Sequence, residues 1–336
     1  MVSDRTVPQF EVKISVLIPV RNEELSIRAL LESLRNQTLK PAEVVITDGG
    51  SRDATPEIVS EFVKRGDPIR LLREAAALPG RGRNLAAAQA ANEWIAFIDA
   101  GITPEPSWLK SLGQRAEAES GGDDVDVVYG TYEPVTDSLF KLCAVIAYVA
   151  PPYKVEGRLI RPCSVASVLM RRSVWKQVGG FPENLRSAED LLFMRKIEGA
   201  GFKIVRAPEA LVHWQVEATA WRTFKRFIHY ARNNMRAGLW SEWQAPLFRR
   251  YGWLFLSALP AVILGSKWLL VPVVLWLVLL SGRALVALKR NRLRYPGSVF
   301  ENLLRFMVLT PLLAMLDVAT IIGTLQWAVS DKSEQE

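Results

Sequence analysis

The chain has 336 residues, 49% of them hydrophobic and 23% charged, with a formal net charge of +7. That apolar content excludes a disordered chain, and two cysteines, Cys143 and Cys163, are too few for a disulfide scaffold or a structural zinc cluster. The charge is uneven: residues 1–219 are close to neutral, and the Lys and Arg excess lies between 220 and 305, beside long apolar runs. A nucleic-acid binder carries its charge on the folded domain, so no nucleic-acid partner is expected; basic residues flanking apolar runs point to a membrane surface.

In chain order, Met1–Lys13 has no apolar core of signal-peptide type, so the first domain is expected to stay on the cytoplasmic side. Ile14–Val20 reads as a buried strand and Glu24–Asn36 as a helix. Glu43–Thr47 is a second strand and Thr55–Arg65 a helix. Ile69–Arg73 is a third strand, Gly82–Ala91 a helix, and Trp94–Ile98 a fourth strand. This alternation predicts a mostly parallel sheet with helices on both faces, and ligands in such sheets sit outside the carboxyl ends of the strands.

Those ends carry the chemistry. Asp48 closes the second strand, where a carboxylate accepts bonds from a nucleobase or ribose, and Gly49-Gly50 allow a tight turn close to a ligand. Asp99-Ala100-Gly101 follows the fourth strand, and Glu23-Glu24 the first. Acidic residues at three strand ends suit a nucleotide with a divalent metal better than a bare anion. There is no GxGxxG, which argues against a dinucleotide fold. Arg81 and Arg83 at a helix start suit a pyrophosphate, although a solvated helix start reads the same way. Ser187-x-x-Asp190 reads as a capping box opening a helix over Ala188–Ile197. Leu159–Arg172, rich in small residues, fits either a substrate-facing strand or a buried one. His213, beside Trp214, is read as a packed histidine or a metal ligand.

Residues 220–240 repeat Trp221, Phe224, Ile228, Ala231, Met235 and Leu239 at helical spacing with arginines between them. This predicts an amphipathic interfacial segment over 220–250, with packing on the preceding domain as the alternative. Two apolar stretches follow, and a span needs about 20 residues. The first fits one long tilted helix or a hairpin, 248–264 and 268–287, turning at Gly265–Lys267. Keeping Arg249, Arg250 and the basic run Lys289–Arg294 on one side favours the hairpin. A last crossing at 306–329 completes a membrane domain over 251–330 and leaves the acidic tail Asp331–Glu336 on the far side.

The segments IPVRNEE, VVITDGGSRDAT, RGRNLAAAQA, FIDAG and GGF…AEDLLF, in that order over about residues 13–235, resemble family 2 glycosyltransferases. The resemblance implies an α/β GT-A fold, a Rossmann-like mostly parallel sheet flanked by helices, in residues 1–219. It implies donor-nucleotide contacts from Pro19, Arg21, Glu23, Asp48, Arg81, Arg83, Asn84 and Asp99. Asp190 would be the general base on the acceptor hydroxyl, with Glu189 beside it. A divalent cation, Mn2+ or Mg2+, would sit at Asp99, with His213 as a further ligand; Gly101 departs from the family's Asp-x-Asp pattern at the position that usually grips the metal. The chain is therefore expected to be a multi-pass membrane enzyme that moves a sugar from a UDP- or GDP-linked donor to a lipid or lipid-linked glycan. A nucleotidyltransferase, or a scaffold with a degenerate transferase domain, is the alternative.

Overall fold

The computed structural model describes residues 12–118, 125–155 and 157–330. The N-terminal stretch read for a signal peptide and the acidic tail fall, at residues 1–11 and 331–336, outside the described residues. The chain divides into two compact units, one of residues 1–133 and 155–215, the other of residues 134–154 and 216–336.

The first unit is built on one sheet. Its strands are β1 (Ile14–Val20), β2 (Glu43–Asp48), β3 (Ile69–Arg73), β4 (Trp94–Phe97), β5 (Ile102–Pro104), β6 (Val127–Pro134), β7 (Val168–Arg171) and β8 (Ile204–Trp214). They lie in the order β3-β2-β1-β4-β7-β6-β8-β5. β1 runs parallel to β2 and β4, and β2 to β3. β7 is antiparallel to β4 and β6, and β5 to β8. The sheet is thus parallel where the nucleotide-side residues were expected, and the pairings β4-β7, β7-β6 and β8-β5 beyond it are antiparallel.

β1 is apolar but for Ser15 because it is covered on both faces. Ile14, Val16, Ile18 and Val20 enter one core with Ile46, Phe62 and Trp108; Leu17 enters the other with Val45, Phe97, Phe181 and Phe193. The helices up to residue 199 are α1 (Ile27–Arg35), α2 (Thr55–Lys64), α3 (Pro79–Gln89), α4 (Trp108–Ala118), α5 (Leu139–Tyr148), α6 (Arg172–Gln177) and α7 (Glu189–Gly199). α1 buries Ile27, Leu30, Leu31 and Leu34, the spacing of one helical face. α3 begins three residues before its expected start, because Pro79 is pre-set for the first helical turn. Its first turn lies against the sheet's end: a Cβ on Gly82 would meet Pro19 Cβ at 3.1 Å, and one on Gly80 would clash with the Pro182 carbonyl.

The second unit takes α5 together with α8 (Ala220–Arg236), α9 (Trp240–Trp243), α10 (Ala245–Leu256), α11 (Pro260–Leu264), α12 (Leu270–Asn291) and α13 (Val299–Ser330). Three helical segments, Ala245–Leu264, Ser266–Asn291 and Val299–Ser330, are long and apolar enough to cross a membrane. The chain breaks between the first two at Gly265, whose φ of +94° a side chain rarely adopts. The amphipathic α8 packs on α13, where Gly323 lets Ala231 approach closely. Cys143, Leu280, Leu309, Leu313 and Leu316 fill the unit's core. Asp317, buried in α13, forms an ion pair with Arg283 of α12 at 3.1 Å and accepts a hydrogen bond from the Tyr251 hydroxyl of α10 at 3.0 Å. Such a charge in an apolar helix requires a partner, and it joins the three segments.

Candidate active site

The loops after β1 and β2 hold each other. Asn22, at φ +56°, donates its backbone N–H to Ser51 Oγ at 2.9 Å and accepts from the Arg52 N–H at 2.9 Å. The Glu23 N–H donates to Thr55 Oγ1 at 2.8 Å. Asp48 is buried at the end of β2, where one carboxylate oxygen accepts from the Ser51 N–H at 2.9 Å. It lines a cavity of about 400 Å³ with Gly50, Arg52, Asp53, Arg73 and Glu74. The Asp48-Gly49-Gly50 backbone turns close to Ala77: a Cβ on Gly49 would lie 2.6 Å from its carbonyl oxygen. The cavity is therefore lined by carboxylates and by Arg52 and Arg73, which suits hydrogen bonding to a base and its ribose.

α3 leads from that cavity to a second group of charges. Arg81 reaches Glu74, a cavity residue, at 3.3 Å and Glu183 at 3.2 Å. Two residues on, Arg83 is buried and forks between two carboxylates, donating to Asp99 at 2.6 Å and to Glu189 at 2.7 Å. The side chains of Arg83 and Glu189 are each 5% exposed, whereas that of Asp99 is 41% exposed. Burial alone would lower the Arg83 pKa, but Asp99, Glu189 and Asp190 outweigh it and fix the positive charge. For Glu189 burial dominates. It raises the carboxyl pKa against the pull of Arg83, and the nearby Asp190 charge raises it further. Glu189 Oε2 is buried without a hydrogen-bond partner, which agrees with that direction.

Phe181 supports the fork from below. Its ring centroid is 5.3 Å from the Arg83 guanidinium, stacks at 3.7 Å on Phe193 and meets Phe97 edge-on. Gly179 and Gly180, at φ +75° and +69°, make the turn that puts Phe181 there. Asn84 holds this turn with four hydrogen bonds. Its amide donates to the Phe181 carbonyl and to Glu183, and its oxygen accepts from the Phe181 N–H and Trp175 Nε1, all within 2.9–3.0 Å.

Of the other expected residues, Asn84 and Glu23 have partners of their own. Asn84 serves the fold of the 175–183 segment. The Glu23 carboxylate accepts from Ser26 at the start of α1, and Pro19 lies beneath Gly82. Arg21 is exposed on the β1 loop. The capping box is not formed: Ser187 Oγ is buried without a partner, Ala188 takes φ +71° at the N-cap, and Asp190 accepts from the next N–H, Leu191, at 2.8 Å. A left-handed alanine at this point is local strain beside the site. Asp190 thus makes no pair with Ser187, holds a first-turn N–H of α7 instead, and lies within electrostatic reach of Arg83 and Glu189. Glu74 and Glu183 were not foreseen, and Phe181 entered only as part of the GGF segment, without a role. Only the Gly-Gly turn before Phe181 was a signal, since it marks a constrained approach.

The residues expected to hold a metal do not fit one. Asp99 is engaged by Arg83, His213 Nε2 meets Glu105 at 2.6 Å, and position 101 has no side chain. Among the described residues no three His, Cys, Asp or Glu side chains converge as a metal site.

The family model described as Glycosyl transferase family 2 matches residues 15–178. The glycosyltransferase AglE of Haloferax volcanii is 26% identical over 204 residues, 59% of this chain and 65% of that protein. The pre-mycofactocin glycosyltransferase of Mycobacterium tuberculosis is 31% identical over 209 residues, 59% of this chain and 42% of its own. The chain thus spans less than two thirds of the length of these curated relatives. Among solved structures, the mannosyltransferase PcManGT of Pyrobaculum calidifontis, in complex with GDP-Man and Mn2+, superposes with a TM-score of 0.55 at 19% identity, over 96% of this chain and 90% of that one. At that identity the likeness concerns the fold, which is GT-A. Residues 15–178 thus match glycosyl transferase family 2, and long apolar helices follow the transferase fold.

Proposed function

We propose that the chain is a membrane-anchored, inverting glycosyltransferase. It takes a sugar from a UDP- or GDP-linked donor and passes it to a membrane-proximal acceptor, a lipid or a lipid-linked glycan. The transferase domain, residues 1–219, lies on the cytoplasmic side. Residues 220–250 lie along the interface, and three helices within about 251–330 hold the enzyme in the membrane. A soluble acceptor would need no such tether, and the basic residues 289–294 favour the cytoplasmic leaflet.

The donor's base and ribose enter the Asp48 cavity, and its diphosphate lies toward Arg81. The acceptor oxygen forms a bond to the anomeric carbon from the face opposite the diphosphate. The bond from that carbon to the diphosphate oxygen breaks, and its electron pair leaves with the nucleoside diphosphate. The hydroxyl proton passes to the Asp190 carboxylate, because a sugar or lipid hydroxyl is a poor nucleophile until that proton is removed. Glu189, locked to Arg83, fixes the start of α7 and so positions Asp190. One observation carries this reading: the buried Arg83 holds the half-exposed Asp99 and the buried Glu189 in a single fork, with Asp190 adjacent and Arg81 leading back to the cavity.

A single base without a covalent nucleophile requires inversion. Proton NMR of the product formed from an α-linked donor tests this: a β-linkage supports the proposal, and an α-linkage refutes single displacement.

A further inference from the structure

Resting on that reading, we propose that the donor diphosphate is bound without a divalent cation. Arg83 is the fixed cation between the site's carboxylates, and Arg81 is the cation that meets the phosphates. The first ground is the chemistry of the three positions. Gly101 has no ligand atom, although a Cβ there would meet nothing within 4 Å, so nothing steric bars a carboxylate. Asp99, which remains, lies 2.6 Å from Arg83. His213 is held by Glu105.

The second ground is electrostatic. A divalent ion on Asp99 would stand beside the buried guanidinium of Arg83, which lies 2.6 Å from Asp99 and 2.7 Å from Glu189. A metal there would have to compete with Arg83 for the Asp99 carboxylate, at the place where the family pattern would put it. Arg83 already serves as the cationic partner of Asp99 and Glu189, offsetting one of their two charges.

The third ground separates the two arginines. Arg83 is locked, whereas Arg81 is 41% exposed and its partners Glu74 and Glu183 are 42% and 44% exposed. Exposed pairs of this kind are weak and exchange readily. Arg81 stands in the first turn of α3, whose N-cap, Leu78, brings no side chain to the free N–H groups. A diphosphate drawn from the Asp48 cavity toward Asp99 passes this turn and can displace both glutamates.

The test is calorimetric titration of UDP and of GDP into the full chain in detergent micelles, with EDTA or with millimolar Mn2+. The expected Kd in wild type differs by less than about twofold between the two conditions. Gly101→Asp is expected to gain about tenfold tighter binding with Mn2+, and Arg81→Ala to lose about tenfold in EDTA. Wild-type binding that Mn2+ tightens tenfold or more overturns the proposal, and so does a Gly101→Asp protein indifferent to Mn2+. Failure to bind either nucleotide under both conditions overturns the transferase reading as well, which separates the two failures.

Discussion

Replacing Arg83 by Met keeps a long side chain over Phe181 and removes the charge. Two charge-assisted hydrogen bonds are lost, at 2.6 and 2.7 Å. They are not equivalent. Asp99 is 41% exposed, so water replaces its partner and that half contributes at most about 1 kcal/mol. Glu189 is 5% exposed, and breaking a buried pair by removing one partner costs about 3–5 kcal/mol. Protonation caps that cost. Without Arg83 the Glu189 carboxyl, already raised by burial, takes up a proton that the unfolded chain releases above its ordinary value of 4.5. From there to pH 7 the cap is about 3 kcal/mol, at about 1.4 kcal/mol per pH unit. The folded variant binds the extra proton, so its stability falls as pH rises through that window. Urea unfolding of the full chain in micelles, followed by near-ultraviolet circular dichroism, should show a loss of about 3 kcal/mol near pH 7 and a smaller loss near pH 5. Arg83→Met with Glu189→Met should recover at least half of it. A loss under about 0.5 kcal/mol, or one independent of pH, refutes the buried fork.

Asn84→Ala removes the four bonds that hold the 175–183 turn and should cost about 3 kcal/mol, read in the same unfolding assay, with loss of the Phe181 stack visible in the near-ultraviolet spectrum. In the helical unit, Asp317→Leu strands Arg283 and should lower thermal stability in micelles by about 3 kcal/mol or more. Pairing it with Arg283→Leu should restore most of that. Wild-type transfer should decline on acidification through a limb above the ordinary carboxylate range, because protonation of Glu189 loosens Arg83; a rate–pH profile of Glu189→Gln should lack that limb.

The parts of this molecule legible in its sequence are those fixed by local pattern. The apolar runs of β1 and β2 and the period of α1 lie where their side chains require. Asp48 and Asp99 follow their strands because strand ends are local features. The sequence could not show what depends on long-range meeting. Arg83 and Glu189 are over a hundred residues apart, and their union follows from the β3-β2-β1-β4 order, which carries α3 across to α7. Ser187 and Asp190 have capping-box spacing, yet Ala188 takes a left-handed conformation and the box does not close. Asn84 sits in a motif that resembles a nucleotide contact, while its hydrogen bonds belong to a distant turn.

Asp190→Asn, measured against wild type in single-turnover transfer at saturating donor, tests the central claim most directly. The account predicts a fall of about 10²–10⁴-fold in the transfer step, with nucleotide affinity unchanged. Equal rates would remove Asp190 as the base, and with it the mechanism.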